Sequence, residues 1–311
     1  MKILWLKDQK VGHEKQVHVI LKRLQENIPK MELIEIDVNI SFIKNLLLFL
    51  SKIHPSISLK PDVIIGAGTG THLEMLRIKQ KFNNEPKIIC VMKPSIFLKQ
   101  FDLVFAPRHD FNNEIPKNVF VYQGSIVEPK IYDDLDDNIL VLIGGENKHF
   151  PFSIEKILNQ IRFIESNNEF TNKKILIFNS RRTPEKLNTV LKDWSKQSNN
   201  LNFMDYQNSV SLSNYMGKSS YTFVTPDSVN MIFESLSSMS KTYVFSTDTQ
   251  NDTKVTKLIK NLVNNNSLGC IEKSDFPKDS YFIKHPESNL VLNELKKIVD
   301  HFLNFLQKQN F

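Results

Sequence analysis

The sequence predicts an α/β protein built from two doubly wound, Rossmann-like domains facing a central cleft. Three observations carry this. Short, largely β-branched apolar runs recur along the chain. Between them lie segments whose apolar residues are spaced by three and four, the helical period. The pattern then stops at a polar, acidic stretch and starts again. Strands that are apolar throughout, rather than alternating, are those of parallel sheets covered on both faces. A chain of 311 residues is long enough for two such domains.

The first strand is the run Ile3-Leu4-Trp5-Leu6. Gly12-His13 leads into a helix with Val17, Ile20, Leu21 and Leu24 on one side. Strands are expected at 33–36, 63–65, 88–92, 103–105 and 119–122, with helices near 41–53 and 71–82. These make a first domain of residues 1–125. Residues 128–138, with Asp133-Asp134-Leu135-Asp136-Asp137, read as a linker or a surface loop. The second domain, 139–285, opens on strand 139–143, ended by Gly144-Gly145. Helices 153–166, 184–195, 209–217, 228–238 and 254–264 then alternate with strands 175–178, 201–204, 221–224 and 242–245. A terminal segment, 286–311, holds an amphipathic helix near 288–308, with Leu290, Leu292, Leu295, Ile298, Val299, Phe302, Leu303 and Leu306.

Composition narrows the class. Hydrophobic residues at 41 % and charged residues at 24 % exclude a disordered chain. Cys90 and Cys270 cannot build a disulfide framework and lack metal-ligand spacing. No apolar run approaches the ~18 residues of a membrane-spanning helix, and the first residues lack the apolar core of a signal peptide. A soluble, reduced, cytoplasmic protein is expected. The net charge of +6 sits in residues 1–122, which hold 18 basic against 12 acidic residues. Such asymmetry steers anionic partners. Nucleic acid is not expected among them, because no long Lys/Arg block, zinc-finger spacing or RNA-binding consensus occurs. The segment 42–53 either packs against a sheet or, with the basic first domain, lies on the cytoplasmic face of an anionic membrane.

Ligands of open parallel sheets bind beyond the carboxyl ends of the strands, so candidate chemistry lies there. Gly12-His13-Glu14 follows the first strand, where a histidine acts as general base or phosphate donor, or merely starts the helix. Gly66-Ala67-Gly68-Thr69-Gly70-Thr71 resembles a dinucleotide fingerprint but has threonine where the last glycine belongs. It is left as an amide-rich turn, with or without an anion. Arg108-His109-Asp110 either orients a charged acceptor or closes a local ion pair. Gly144-Gly145, before Lys148-His149, suits a diphosphate passing close to the backbone. In Ser180-Arg181-Arg182-Thr183-Pro184, Thr183 is read as a helix N-cap and Pro184 as the first helical residue, which puts two phosphate-binding arginines at the helix entrance. Asp227 or Ser228 is expected to cap the next helix. Glu234, seven residues on and near the same face, would accept ribose hydroxyls.

Taken together and in order, these motifs resemble the elongated-mitochondria family, named for a plant mitochondrial fission factor and abundant in bacteria. The carriers run from Trp5 through Gly12-His13-Glu14 with Gln16, through Asp62 to Gly68 and Phe101 to Asp110, and on through Gly144-Gly145, Ser180 to Pro184 and Thr225 to Glu234. The family is similar in turn to GT-B glycosyltransferases, including the peptidoglycan N-acetylglucosaminyl transferase. That resemblance implies a C-terminal domain holding a nucleotide-sugar donor and a last helix crossing back to the first domain. It implies that Gly144, Gly145 and the Arg181 region face the diphosphate, that Asp227 to Glu234 hold the nucleotide, and that His13 lies at the reaction centre. Gly12, Gly66, Gly68, Arg108 and His109 then fall on the acceptor side. The family usually has glycine after the aspartate of the first loop; this chain has Asp8-Gln9.

The expected activity is metal-independent transfer of a sugar from a nucleoside diphosphate sugar to a hydroxyl acceptor, lipid-linked or of the cell envelope, with no further cofactor. The alternative is a non-catalytic, peripheral interaction protein of the fission-factor type. A nicotinamide-dependent oxidoreductase is disfavoured by the failed fingerprint.

Overall fold

The computed structural model describes all residues except 112–113, 131, 133, 148–149, 209–211, 248–252, 275–279, 288–292 and 310, and the side chain of Ser213. The chain divides into two compact units: residues Met1–Val127 with Asn293–Phe311, and residues Glu128–Leu292.

In the first unit the order is β1 (Lys2–Lys7), α1 (Val11–Asn27), β2 (Glu32–Asp37), α2 (Phe42–Leu50), β3 (Val63–Ala67), α3 (Thr69–Lys81), β4 (Lys87–Val91), β5 (Leu103–Pro107) and β6 (Val119–Tyr122). The sheet runs β2-β1-β3-β4-β5-β6, with every pairing parallel. Alternate residues of each strand go to opposite faces. Ile3 and Trp5 join Val17, Ile20, Leu21 and Leu24 of α1 on one side. Leu4 and Leu6 join Met75, Leu76 and Ile78 of α3 on the other. Both faces are covered, so both strand registers are apolar.

The second unit continues with β7 (Asp136–Leu142), α4 (Ile154–Ser166), β8 (Lys174–Phe178), α5 (Glu185–Gln197), β9 (Leu201–Met204), β10 (Ser219–Val224), α6 (Val229–Leu236), β11 (Lys241–Val244), α7 (Lys254–Asn264), β12 (Gly269–Lys273) and β13 (Tyr281–Lys284). The sheet order is β13-β12-β11-β10-β7-β8-β9. β13 is antiparallel to β12; neither strand was expected. β13 packs one face against the core, through Tyr281 and Ile283, and β12 is apolar only over Cys270-Ile271, so neither shows the apolar run that marks the central strands. The expected helix 209–217 is replaced among the described residues by a single 3₁₀ turn, Leu212–Asn214, and Gly217 at φ +92° reverses the chain. The acidic stretch is not a free linker. Lys130 bridges to Ser238, and β7 already begins at Asp136.

The last helix, α8 (Glu294–Lys308), starts at Asn293, whose side chain accepts from the Lys296 amide. Residues 288–292 of its expected span lie outside the described residues. Leu295, Ile298, Val299, Phe302 and Leu306 enter the same cluster as α1 and the first sheet. Each such burial contributes roughly 1.5–3 kcal/mol, and this fixes the terminal helix to the first unit.

Candidate functional site

Each sheet reverses its strand order once near its middle, between β1 and β3 in the first unit and between β7 and β10 in the second. The candidate residues gather beyond the carboxyl ends of those strands, where the topology leaves room for a ligand.

In the first unit, Asp8 follows β1 and is 4 % exposed at its side chain, with an oxygen 2.7 Å from Nδ1 of His13. A carboxylate only accepts, so Nδ1 carries a proton, and in the neutral imidazole the lone pair stands on Nε2. The other Asp8 oxygen accepts from the Lys10 amide at 3.2 Å, which fixes the carboxylate ahead of α1. Gly68, at φ +83°, closes over this pair. A Cβ there would collide with the Asp8 carboxylate and the His13 ring. Asp8 was not among the sequence-derived candidates. Its signal was a carboxylate at a strand end, five residues before a histidine.

The turn is tight for a second reason. Thr71, the residue that breaks the dinucleotide fingerprint, is fully buried and donates to the Ala67 or Gly68 carbonyl at 3.2 and 3.0 Å. A Cβ at Gly66 would lie 2.9 Å from its hydroxyl oxygen. The turn therefore closes on itself. Gln9 stands at φ +61°, the left-handed region that a glycine adopts without strain. Gln16 ties α1 to the sheet edge, its Oε1 accepting from Tyr122 Oη at 3.2 Å and the Ile126 amide at 3.3 Å. Glu14 lies in the first turn of α1, its amide donating to the Lys10 carbonyl at 3.0 Å, and its side chain makes no hydrogen bond or ion pair among the described residues. Arg108 is exposed and donates to the Phe111 carbonyl at 2.7 Å, while Lys93 donates to the Asp110 carbonyl at 2.9 Å. Arg108 to Asp110 thus form a loop clamp, and no hydrogen bond joins Arg108 to the Asp8–His13 pair.

Behind the turn, His72 is 2 % exposed and its Nε2 lies 3.2 Å from Cys90 Sγ. Burial, then the neighbouring His13, pushes its pKa down from 6.5 to about 4, with Asp8 opposing. The unfolded chain therefore binds the extra proton between about pH 4 and 6.5, so stability rises with pH across that window. The His72 contribution is whole above about pH 6.5 and is lost as pH falls toward about 4. Urea unfolding at about pH 7 and pH 4.5 should show a loss that is about 2–3 kcal/mol smaller in His72→Asn than in the parent.

In the second unit, Asp227 is the hub. Its side chain is 3 % exposed and pairs with Arg182 at 2.6 Å. Oδ2 also accepts from the Gly145 amide at 3.0 Å, and Oδ1 accepts from the Thr225 hydroxyl at 2.6 Å. That hydroxyl accepts in turn from the Gly144 amide at 2.8 Å. Both glycine amides are therefore occupied, contrary to the expectation that they face a diphosphate. The glycines are required for close approach: a Cβ on Gly144 would strike the Asp227 carboxylate, and one on Gly145 the Arg182 carbonyl.

Thr183 does not cap α5. Pro184 holds the N-cap position, while the Thr183 hydroxyl accepts from the Ser180 amide at 2.9 Å and donates to the Gly144 carbonyl at 2.6 Å. It pins the arginine loop to the end of β7. Ser228 is the N-cap residue of α6, but its side chain makes no capping bond, and the Asp227 side chain turns back to Gly145, Thr225 and Arg182. The two arginines differ in role. Arg182 is neutralised by Asp227, whereas Arg181 is exposed and forms no ion pair among the described residues. Gly144, Gly145, Ser180, Arg182, Thr183 and Asp227 form one network. Glu234 is half-buried on α6 and outside it. Lys148 and His149 lie outside the described residues.

Beside the network is a cavity of about 270 Å³ that sequence reasoning missed. Phe150, Phe152, Pro226 and Phe245 give it apolar walls, and Ser153, Lys156, Asp227 and Ser246 give it polar groups. Gln160, 1 % exposed, holds one wall in place: it accepts from the Ser246 amide at 2.7 Å and donates to the Ser246 carbonyl at 3.1 Å.

Two Rossmann-like units with these strand-end clusters define a GT-B fold. The solved UDP-GlcNAc 2-epimerase of Neisseria meningitidis is 15 % identical, covering 100 % of this chain and 92 % of its own, with a TM-score of 0.55. The Methanocaldococcus jannaschii UDP-GlcNAc 2-epimerase is 14 % identical over 97 % of this chain and 100 % of its own, with a TM-score of 0.54. Acinetobacter baumannii MurG is 14 % identical over 96 % and 90 %, with a TM-score of 0.50. An uncharacterized protein of Rickettsia prowazekii (strain Madrid E) is 25 % identical over 81 % of each chain. Residues 11–298 match the mitochondrial fission ELM1 family, and the chain belongs to it.

Proposed function

We propose that the protein transfers a sugar from a nucleoside diphosphate sugar to a hydroxyl acceptor. The observation that carries this reading is the second-unit cluster: an apolar-walled cavity beside a network that leaves Arg181 and the uncapped start of α6 for an anion. The nucleoside takes the cavity, and Glu234 takes the ribose. Arg181 and the first-turn amides of α6 meet the diphosphate. The Neisseria protein of the same fold was solved bound to UDP-GlcNAc, which supports this class of donor.

In the reaction, the acceptor oxygen bonds to the anomeric carbon and the bond from that carbon to the diphosphate breaks. The electron pair leaves on the diphosphate oxygen, and the acceptor proton passes to Nε2 of His13. Charge develops on the diphosphate, where a guanidinium and fixed amides stabilise the transition state more than the ground state, without a metal. Gly12, Gly66 and Gly68 keep the backbone close to the acceptor side.

Thermal unfolding with a panel of nucleotide sugars tests this. A cognate donor at about 100 times its Kd stabilises by about 2.7 kcal/mol. Arg181→Ala should weaken that donor about tenfold or more, the worth of a charged hydrogen bond, and Glu234→Ala should weaken it as well. Absence of stabilisation by any donor rejects the reading and favours a non-catalytic interaction protein. Epimerisation of the donor without an acceptor would keep the site and replace the reaction.

A further inference from the structure

α2 is packed the wrong way round for a helix that belongs to a core. Its sequence is FIKNLLLFL, yet its one fully buried residue is Asn45, at 1 % exposure. Ile43, Leu47 and Leu50 fall at spacings of four and three, on one stripe. They are 72 %, 60 % and 65 % exposed, and Ile53 just beyond is 52 % exposed. What holds the helix is polar. Arg77 of α3 donates to Asn45 Oδ1 at 3.0 Å, to the Ile53 carbonyl at 2.9 Å and to Glu74 at 2.6 Å. The buried face is satisfied, so the apolar stripe is left over by design of the packing and not by want of an anchor. A contiguous exposed patch of this kind marks an interaction surface.

Charge identifies what it meets. Residues 38–61 contain Lys44, Lys52 and Lys60 and no carboxylate. The Phe97 ring, 5.5 Å from Phe49, brings in a second stretch, 91–101, with Lys93 and Lys99 and again no carboxylate. Lys60 pairs with Glu85, and Lys93 lies over the Phe111 ring. Lys44, Lys52 and Lys99 are exposed and make no ion pair among the described residues. We propose that this face of α2 docks on an anionic lipid bilayer. Ile43, Leu47 and Leu50 enter the acyl boundary, and the three lysines meet headgroup phosphates. A two-fold contact with a second copy would set the same lysines against each other without a carboxylate between them. No described helix is long and apolar enough to cross a membrane, so this contact is interfacial. It does not depend on the sugar-transfer reading.

Flotation of the full chain with phospholipid vesicles tests the proposal. Vesicles of equal parts phosphatidylglycerol and phosphatidylcholine should carry the protein, and pure phosphatidylcholine should carry far less. Leu47→Ser with Leu50→Ser should lower partitioning about tenfold or more. Lys44→Glu with Lys52→Glu should do the same. Phe282→Ser, an exposed aromatic of the second unit at 45 % exposure, should change nothing. All of these side chains are exposed, so unchanged thermal unfolding keeps a folding defect out of the result. Failure of the parent to float with the anionic vesicles overturns the proposal, as does undiminished flotation of the double serine variant. A dimer that the same leucine changes dissociate, with no vesicle binding, would show that a second copy covers the patch.

Discussion

Replacing His13 by alanine is expected to lower sugar transfer about 10²–10⁴-fold, the usual worth of a positioned general base, while donor affinity stays unchanged. Asp8→Asn is expected to lose most of the same factor, although it removes no group from the reacting atoms. The reason is the proton's position. Asp8 Oδ2 lies 2.7 Å from Nδ1, and a carboxylate there can only accept. An asparagine amide in the same place can donate, which allows the proton to move to Nε2 and removes the base. The two side chains then act as one unit, so the double variant should be no slower than His13→Ala alone. Steady-state kinetics over a range of acceptor concentrations checks this. The loss should fall on kcat, and additive losses in the double variant would separate Asp8 from the histidine. A merely structural Asp8 would lower stability and leave the kcat of the folded fraction intact.

The strand-end location of this chemistry was legible in the sequence, because strands buried on both faces leave long apolar runs that end abruptly at glycine and charge. Val63–Ala67 and Leu103–Pro107 are buried throughout, and their ends could be placed within a residue or two. The direction a side chain takes after the strand ends was not legible. Asp227 could cap α6 or turn back. Turning back gives it the Gly145 amide, the Thr225 hydroxyl and the Arg182 guanidinium, three partners where a cap has one. The same holds for α2. Its composition allowed either burial of the leucines against the sheet or their exposure toward a membrane; Arg77 offers Asn45 a buried partner, and a satisfied polar contact there decides which face turns inward. β12 and the edge strand β13 were missed because a strand with only two adjacent apolar side chains and a half-covered one carry weak apolar patterns. Asp8 was missed because its partner became visible only once α1 had folded His13 back over the loop.

The largest stability effect is expected at the Asp227 hub, and three substitutions there should fall in a set order. Asp227→Ala strands the Gly145 amide, the Thr225 hydroxyl and the Arg182 guanidinium together. Losing one partner of a buried pair costs about 3–5 kcal/mol, and Arg182 is 45 % exposed and recovers water, so about 2–4 kcal/mol is expected. Gly145→Ala leaves every polar group in place but drives a methyl into the Arg182 carbonyl. Backbone must move, which costs about 1–3 kcal/mol, and it moves the arginine loop with it. Asp227→Asn keeps the shape and one acceptor for the Gly145 amide but loses the charge facing Arg182, a change of about 1–2 kcal/mol. Urea unfolding of the second unit measures the order, and donor binding separates the causes. Asp227→Asn frees Arg182 and should change affinity little, whereas Gly145→Ala displaces Arg181 and should abolish donor stabilisation at comparable cost in stability. Equal affinities in the two variants would mean that the arginine loop does not hold the diphosphate.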